Sequence, residues 1–67
     1  MNLDDVDRAI LDQLQREGRL ANAELAERVG LSASACHRRV RALERDGVIA
    51  RYVALVDPEA LGRGLRV

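Results

Sequence analysis

The 67-residue sequence predicts a mainly α fold: a three-helix, helix-turn-helix (winged-helix-like) domain followed by one long β-strand. Three observations carry that expectation. Apolar residues recur at helical spacing over three successive stretches. Only Gly30-Leu31-Ser32 separates the second stretch from the third, a connection short enough for a helix-turn-helix. After Gly47 the pattern changes to a run rich in β-branched and apolar residues.

The first helix is predicted from about Asp4 to Glu17, with Leu3, Val6, Ile10, Leu11 and Leu14 on one stripe. Asp4 suits the N-cap, while Asp5 and Asp7 suit the positive end of the helix dipole. Gly18 is the expected left-handed stop. An acidic first turn repels phosphate, so this helix reads as scaffold. The second helix spans about Asn22 to Val29 and ends at Gly30, with Leu25 and Val29 facing the core and Ala26 allowing close approach. The third spans about Ala33 to Arg45, with Ser32 as N-cap and Gly47 beyond its end. Cys36, Val40 and Leu43 follow spacings of four and three and share its buried stripe. The opposite face carries Ser34, His37, Arg38, Arg41 and Arg45.

From Val48 to Val56 there is no Gly, Pro, Asn or Asp, so the run predicts a single strand and not a hairpin wing. Asp57-Pro58 then opens at most one helical turn, closed by Gly62. Residues 64–67 resemble the beginning of another strand, too short to cover the first. An apolar strand needs a partner for its backbone groups. A second copy of the chain is the expected partner, giving a two-fold dimer with Ile49, Arg51, Tyr52, Val53 and Leu55 at the contact. Residues 1–47 are thus read as the helix-turn-helix domain, 48–56 as the hinge and dimerisation strand, and 57–67 as a connector.

The chain's charge is zero on average and segregated in detail. Eleven Arg, with no Lys, balance eleven acidic residues. Residues 1–27 hold seven acids and three Arg, a net of −4, whereas residues 28–51 hold six Arg and two acids, a net of +4. Such asymmetry suits an anionic partner for the basic half, or two solvated faces that complement each other. No apolar run approaches the roughly 18–20 residues that span a bilayer. The acidic N-terminus lacks the apolar core of a secretory signal. A single Cys cannot staple a scaffold, which fits a reducing, cytoplasmic setting.

No catalytic or metal-binding constellation stands out, so neither an enzyme nor a cofactor is expected. Cys36 and His37 are consecutive on a helix and project about 100° apart, too divergent for a nucleophile–base pair. One His and one Cys are too few for structural zinc. Cys36 reads as a small buried hydrophobe. His37 reads either as a groove contact or as a solvated surface histidine.

The Arg cluster is the sharper signal. Arg38, Arg41 and Arg45 place three guanidinium groups on one helical face, suited to phosphate and to guanine edges. The small residues Ala33, Ser34 and Ala35 let the backbone approach DNA, and the first turn offers free amides to a phosphate. Arg39, beside the core stripe, reads as a structural ion-pair residue.

These residues together resemble a known family. Gly30-Leu31-Ser32, Cys36, Arg39-Val40, Leu43-Glu44, Gly47, Ile49, Tyr52 and Asp57-Pro58 form an ordered set similar to the Lrp/AsnC (leucine-responsive and asparagine) regulators. Leu3-Asp4, Asp7, Ile10-Leu11 and Glu24-Leu25-Ala26 also fit, so the resemblance covers about residues 3–65. It implies a bacterial or archaeal transcription regulator binding double-stranded DNA. Ser32, Ser34, Ala35, His37, Arg38 and Arg41 would lie on the recognition helix, and the 48–56 strand would pair between protomers. Two departures stand out. Ala21 replaces the usual Ser or Thr cap of helix two, leaving Asn22 to cap instead, and Ala stands at positions 33 and 35 where many members have Pro.

The family's C-terminal domain, which binds amino acids, falls outside these 67 residues. The chain is then a fragment or a stand-alone DNA-binding domain, and an amino-acid effector is expected only if that further domain exists. Two rival readings are a winged-helix protein-interaction module that uses its strand edge, and a fragment of a related haem-biosynthetic decarboxylase.

Overall fold

The computed structural model describes residues 1–64. Helix α1 spans Asp5–Arg16, α2 Asn22–Val29, α3 Ala33–Arg45 and α4 Pro58–Gly64. The first three pack on one another, most extensively α2 on α3, while α4 packs on none of them.

Local chemistry sets most of the boundaries. Asp4 caps α1 through a reciprocal box: its carboxylate accepts from the Asp7 N–H at 2.8 Å, and the Asp4 N–H donates to the Asp7 carboxylate at 3.3 Å. Ser32 caps α3, its Oγ accepting from the Ala35 N–H at 3.2 Å. At the end of α2 the backbone turns at Gly30, where φ is +72°. The Leu31 N–H donates to Ala26 O at 2.9 Å and the Gly30 N–H to Glu27 O at 3.3 Å, the paired bonds of a Schellman turn. Gly47, with φ +78°, turns the chain after α3. There the Ile49 N–H donates back to Leu43 O at 3.1 Å.

The core is small. Ile10, Leu25, Ala26, Cys36 and Leu43 are buried, with Leu3, Val6, Leu11, Leu14, Leu20, Val29, Leu31, Val40 and Ile49 packed around them. Every stripe residue predicted for the three helices therefore lies in or against this cluster.

Three expectations need correction and a fourth is not confirmed. The long strand over residues 48–56, expected to pair with a second copy, is not seen: residues 48–49 bend and residues 50–57 carry no regular hydrogen-bonding pattern. A strand exists only through pairing with another strand, and no strand occurs among the described residues. The segment is an arm that follows α3. Gly18 is not left-handed, because positive φ among the described residues occurs only at Gly30 and Gly47. Helix α1 ends instead on an extended Glu17, at φ −148° and ψ 87°, so no left-handed residue is needed. Asn22 does not cap α2; the cap position is Ala21 and offers no side-chain bond. Lastly, α4 continues through Gly62 to Gly64. Asp57 caps its first turn as expected, its carboxylate accepting from the Glu59 N–H at 3.0 Å. The short strand expected over residues 64–67 lies outside the described residues, apart from Gly64 at the end of α4.

Candidate nucleic-acid interface

The surface of interest is the outer face of α3. Its inner face is held by Cys36 and Leu43, both fully buried, and by half-buried Val40. With that stripe inward, the 100° step per residue turns the opposite stripe to solvent. Ser32, Ser34, His37, Arg38, Arg41 and Arg45 are all exposed, and Ala35 is half-buried beside them. The sequence-predicted face is therefore assembled on one side of one helix. Burial pushes the Cys36 thiol above its ordinary pKa, so the neighbour of His37 behaves as a neutral core residue.

Five of the six Arg in the basic segment, those on α2 and α3, do not carry equal free charge. Arg39 turns inward across α1 and donates to the Asp4 carboxylate at 2.7 and 2.9 Å and to Asp7 at 3.2 Å. The Arg39 hydrogen bond, helped by the Asp7 backbone bond, holds the Asp4 carboxyl below its usual pKa. The Asp7 side chain is only 8 % exposed, so Arg39 supplies its counter-charge. As anticipated, Arg39 is a structural ion-pair residue. Arg41 stands 3.9 Å from Glu44 and remains 71 % exposed, and Arg45 stands 3.3 Å from Asp46. Arg38 takes part in no ion pair among the described residues. Arg28 is engaged elsewhere, donating to Glu24 at 2.8 Å and to Gln13 of α1 at 3.1 Å.

The arm beyond α3 meets the helical body at two points. Ile49 is half-buried against the core, and Tyr52 reaches back so that its hydroxyl donates to the Glu44 carboxylate at 2.9 Å. Burial, then the Glu44 carboxylate, pushes the Tyr52 phenol above its ordinary pKa. Further along, Val53, Leu55 and Val56 are exposed, Leu55 to 95 %. An open groove of about 560 Å³ runs between α1 and the arm, walled by Leu11, Leu14, Val48, Ile49, Val53 and Leu55. Arg51 and Tyr52 also lie on it.

Two contacts escaped the sequence. One is the Tyr52–Glu44 bond. The other is Asn22, whose amide Nδ2 donates to Ala33 O at 2.9 Å, joining the starts of α2 and α3. No sequence signal pointed to this bond: the missing side-chain cap at Ala21 suggested that Asn22 caps α2.

A short glycine-initiated turn, a serine-capped third helix held by the core, and an outward row of guanidinium groups define a helix-turn-helix DNA-binding domain. The chain belongs to the winged helix-turn-helix DNA-binding family, whose model matches residues 3–50, and within it to the Lrp/AsnC regulators, matching their N-terminal DNA-binding region. It is 54 % identical over 65 residues to the glutamate uptake regulatory protein of Zymomonas mobilis, covering 97 % of this chain and 40 % of that protein. It is 52 % identical over 66 residues to the leucine-responsive regulatory protein of Escherichia coli, covering 98 % and 40 % respectively. An AsnC family transcriptional regulator from Agrobacterium tumefaciens superposes at a TM-score of 0.86 with 51 % identity, over 88 % of this chain and 39 % of that one. The chain thus spans about 40 % of the length of the curated relatives it matches. These matches favour DNA binding over a protein-interaction module. The relatives and the solved structure named above are all regulators.

Proposed function

We propose that the chain binds double-stranded DNA sequence-specifically as a two-fold dimer, with α3 in the major groove, and that it serves transcription regulation in the cytoplasm without enzymatic activity. The observation that carries this reading is the exposed Arg38 and Arg41 on α3, opposite the buried stripe. Arg38 and Arg41 would read bases or grip phosphate, while Ser32, Ser34 and the free amides of the first turn fix register. Ala35 lets the helix backbone approach the groove. His37 and Arg45 flank the contact. No helix among the described residues is long and apolar enough to cross a membrane.

Dimerisation is proposed through the arm. Its exposed Val53 and Leu55, with Ile49, Arg51 and Tyr52 beside the groove, supply unpaired backbone and apolar surface that a second arm would cover. A two-fold dimer would select a pseudo-palindrome with half-sites about 34 Å, or a multiple, apart. An amino-acid effector belongs to the proposal only where a C-terminal domain accompanies this one.

The test is selection of duplexes from a random pool, followed by a mobility shift at increasing salt. Recovery of a palindromic site, a steep fall of affinity with salt, and loss of most binding in the double change Arg38→Ala plus Arg41→Ala are expected. Binding that survives the double change would remove α3 from the interface.

A further inference from the structure

The helix-turn-helix packs through small and smooth surfaces. Ala26 on α2 and Cys36 on α3 are buried in the contact, together with Leu25 and Leu43. Apolar contact of this kind resists separation strongly but is non-directional. Arg39 ties the middle of α3 to Asp4 and Asp7, which leaves the setting of its first turn against α2 to other contacts. The turn Gly30-Leu31-Ser32 fixes only the near ends of the two helices, the C-terminus of α2 and the N-terminus of α3.

One directional contact joins α3 to the far end of α2. Asn22, the first residue of α2, donates from Nδ2 to the carbonyl of Ala33, the first residue of α3, at 2.9 Å and across eleven positions of sequence. A carbonyl has two lone pairs, so Ala33 O accepts this bond while keeping its place in the helical ladder. Asn22 makes no cap bond for its own helix. The amide therefore acts between helices, at the turn whose free N–H groups and small residues face outward.

Resting on the DNA-binding reading above, we propose that Asn22 is a positioning residue for base reading: its bond to Ala33 sets the rotation and depth at which the first turn of α3 enters the groove. Asn22 itself touches no base. It acts through Ala33, and so through Ser34, Arg38 and Arg41, which follow on the same helix. A displacement of that turn by an ångström spoils bidentate geometry at base edges, whereas phosphate contacts tolerate it. Losing Asn22 should therefore lower discrimination between sequences more than it lowers overall grip on DNA.

Two variants separate positioning from stability. Asn22→Ala removes the donor. Asn22→Asp keeps size and shape, cannot donate, and adds a negative charge at a helix N-terminus, which favours α2. The probes are a duplex selected from a random pool by the wild-type chain, and a scrambled duplex of equal length. Affinity for both is measured by fluorescence anisotropy well below the melting temperature.

The expected result is a fall of about three- to tenfold in the ratio of selected to scrambled affinity for both variants, the range of one net hydrogen bond. The slope of log affinity against log salt stays that of the wild type for Asn22→Ala, because no phosphate contact is lost. Asn22→Asp weakens both duplexes further by its charge but shows the same fall in ratio. An unchanged ratio in folded Asn22→Ala overturns the positioning role and leaves DNA binding intact. So does a failure of both variants to fold, which makes the residue structural. A wild-type chain that selects no duplex overturns the DNA-binding reading and this proposal with it.

Discussion

Removing the Arg of α3 one at a time should not give equal effects, and their order follows from their partners. Arg38 has no ion pair among the described residues, Arg41 shares a long, exposed pair with Glu44 at 3.9 Å, and Arg45 pairs with Asp46 at 3.3 Å. Exposed pairs of that kind are weak, so competition from Glu44 weakens Arg41 on DNA by at most about twofold. Each phosphate contact contributes about 0.9 to the slope of log affinity against log salt, equivalent to about 3.5-fold between 50 and 200 mM. Arg38→Ala should therefore act in one of two readable ways. A lost phosphate contact flattens the slope by about 0.9 on any duplex. A lost base contact leaves the slope alone and costs about 1–3 kcal/mol on the selected duplex.

Arg41→Ala should follow closely and Arg45→Ala should be weakest, because Arg45 sits in the last turn beside Asp46. Arg39→Ala is the internal control. Its guanidinium is held by Asp4 and Asp7, so its removal should leave the salt slope unchanged while lowering the melting temperature. Fluorescence anisotropy across salt reads all four variants. The reasoning is refuted if Arg39→Ala flattens the slope while Arg38→Ala and Arg41→Ala bind like the wild type.

Three further outcomes concern stability. Leu43→Ala, at a fully buried position in a core of five residues, should lose about 2–5 kcal/mol, seen as a lower urea midpoint by circular dichroism. Gly30→Ala should lose about 1–2 kcal/mol although nothing lies within 4 Å of an added Cβ, because φ there is +72°; a wild-type midpoint would mean the turn relaxes without strain. The Asp4 carboxyl is held below its ordinary 3.8, so its contribution is present above that pH and is lost as pH falls through the lowered value. The melting-temperature gap between wild type and Asp4→Asn should accordingly be widest near neutrality and shrink below pH 4; a gap independent of pH would exclude the ionised Asp4–Arg39 bond as its source.

The three helices of the body were legible because their information is local. Asp4 and Ser32 name their caps, Gly30 names the left-handed turn, and the apolar spacing around Ile10, Leu25 and Leu43 names the buried face. The expectations for Asn22 and for residues 48–56 turned on a partner distant in sequence, whereas the one for Gly18 turned on local backbone geometry. Gly18 suited a left-handed stop, yet the chain leaves α1 through an extended Glu17 into a turn closed by the Leu20 N–H on Glu17 O, at 3.2 Å. Asn22 suited a cap, yet it finds Ala33 across the turn. Residues 48–56 have the composition of a strand, yet a strand needs a second backbone at ladder distance, and none is present among the described residues.

The candidate site divides in the same way. By itself the sequence determined that α3 turns an Arg-rich face opposite its Cys36–Leu43 stripe, because helical geometry converts spacing directly into direction. Only the tertiary structure decided which of those charges is free. Arg38 and Arg39 are neighbours of identical chemistry, but Arg39 faces Asp4 and Asp7 on α1 while Arg38 faces solvent. The 100° between them is local; the carboxylates that neutralise one and spare the other arrive from more than thirty residues away, and packing of α1 against α3 puts them there.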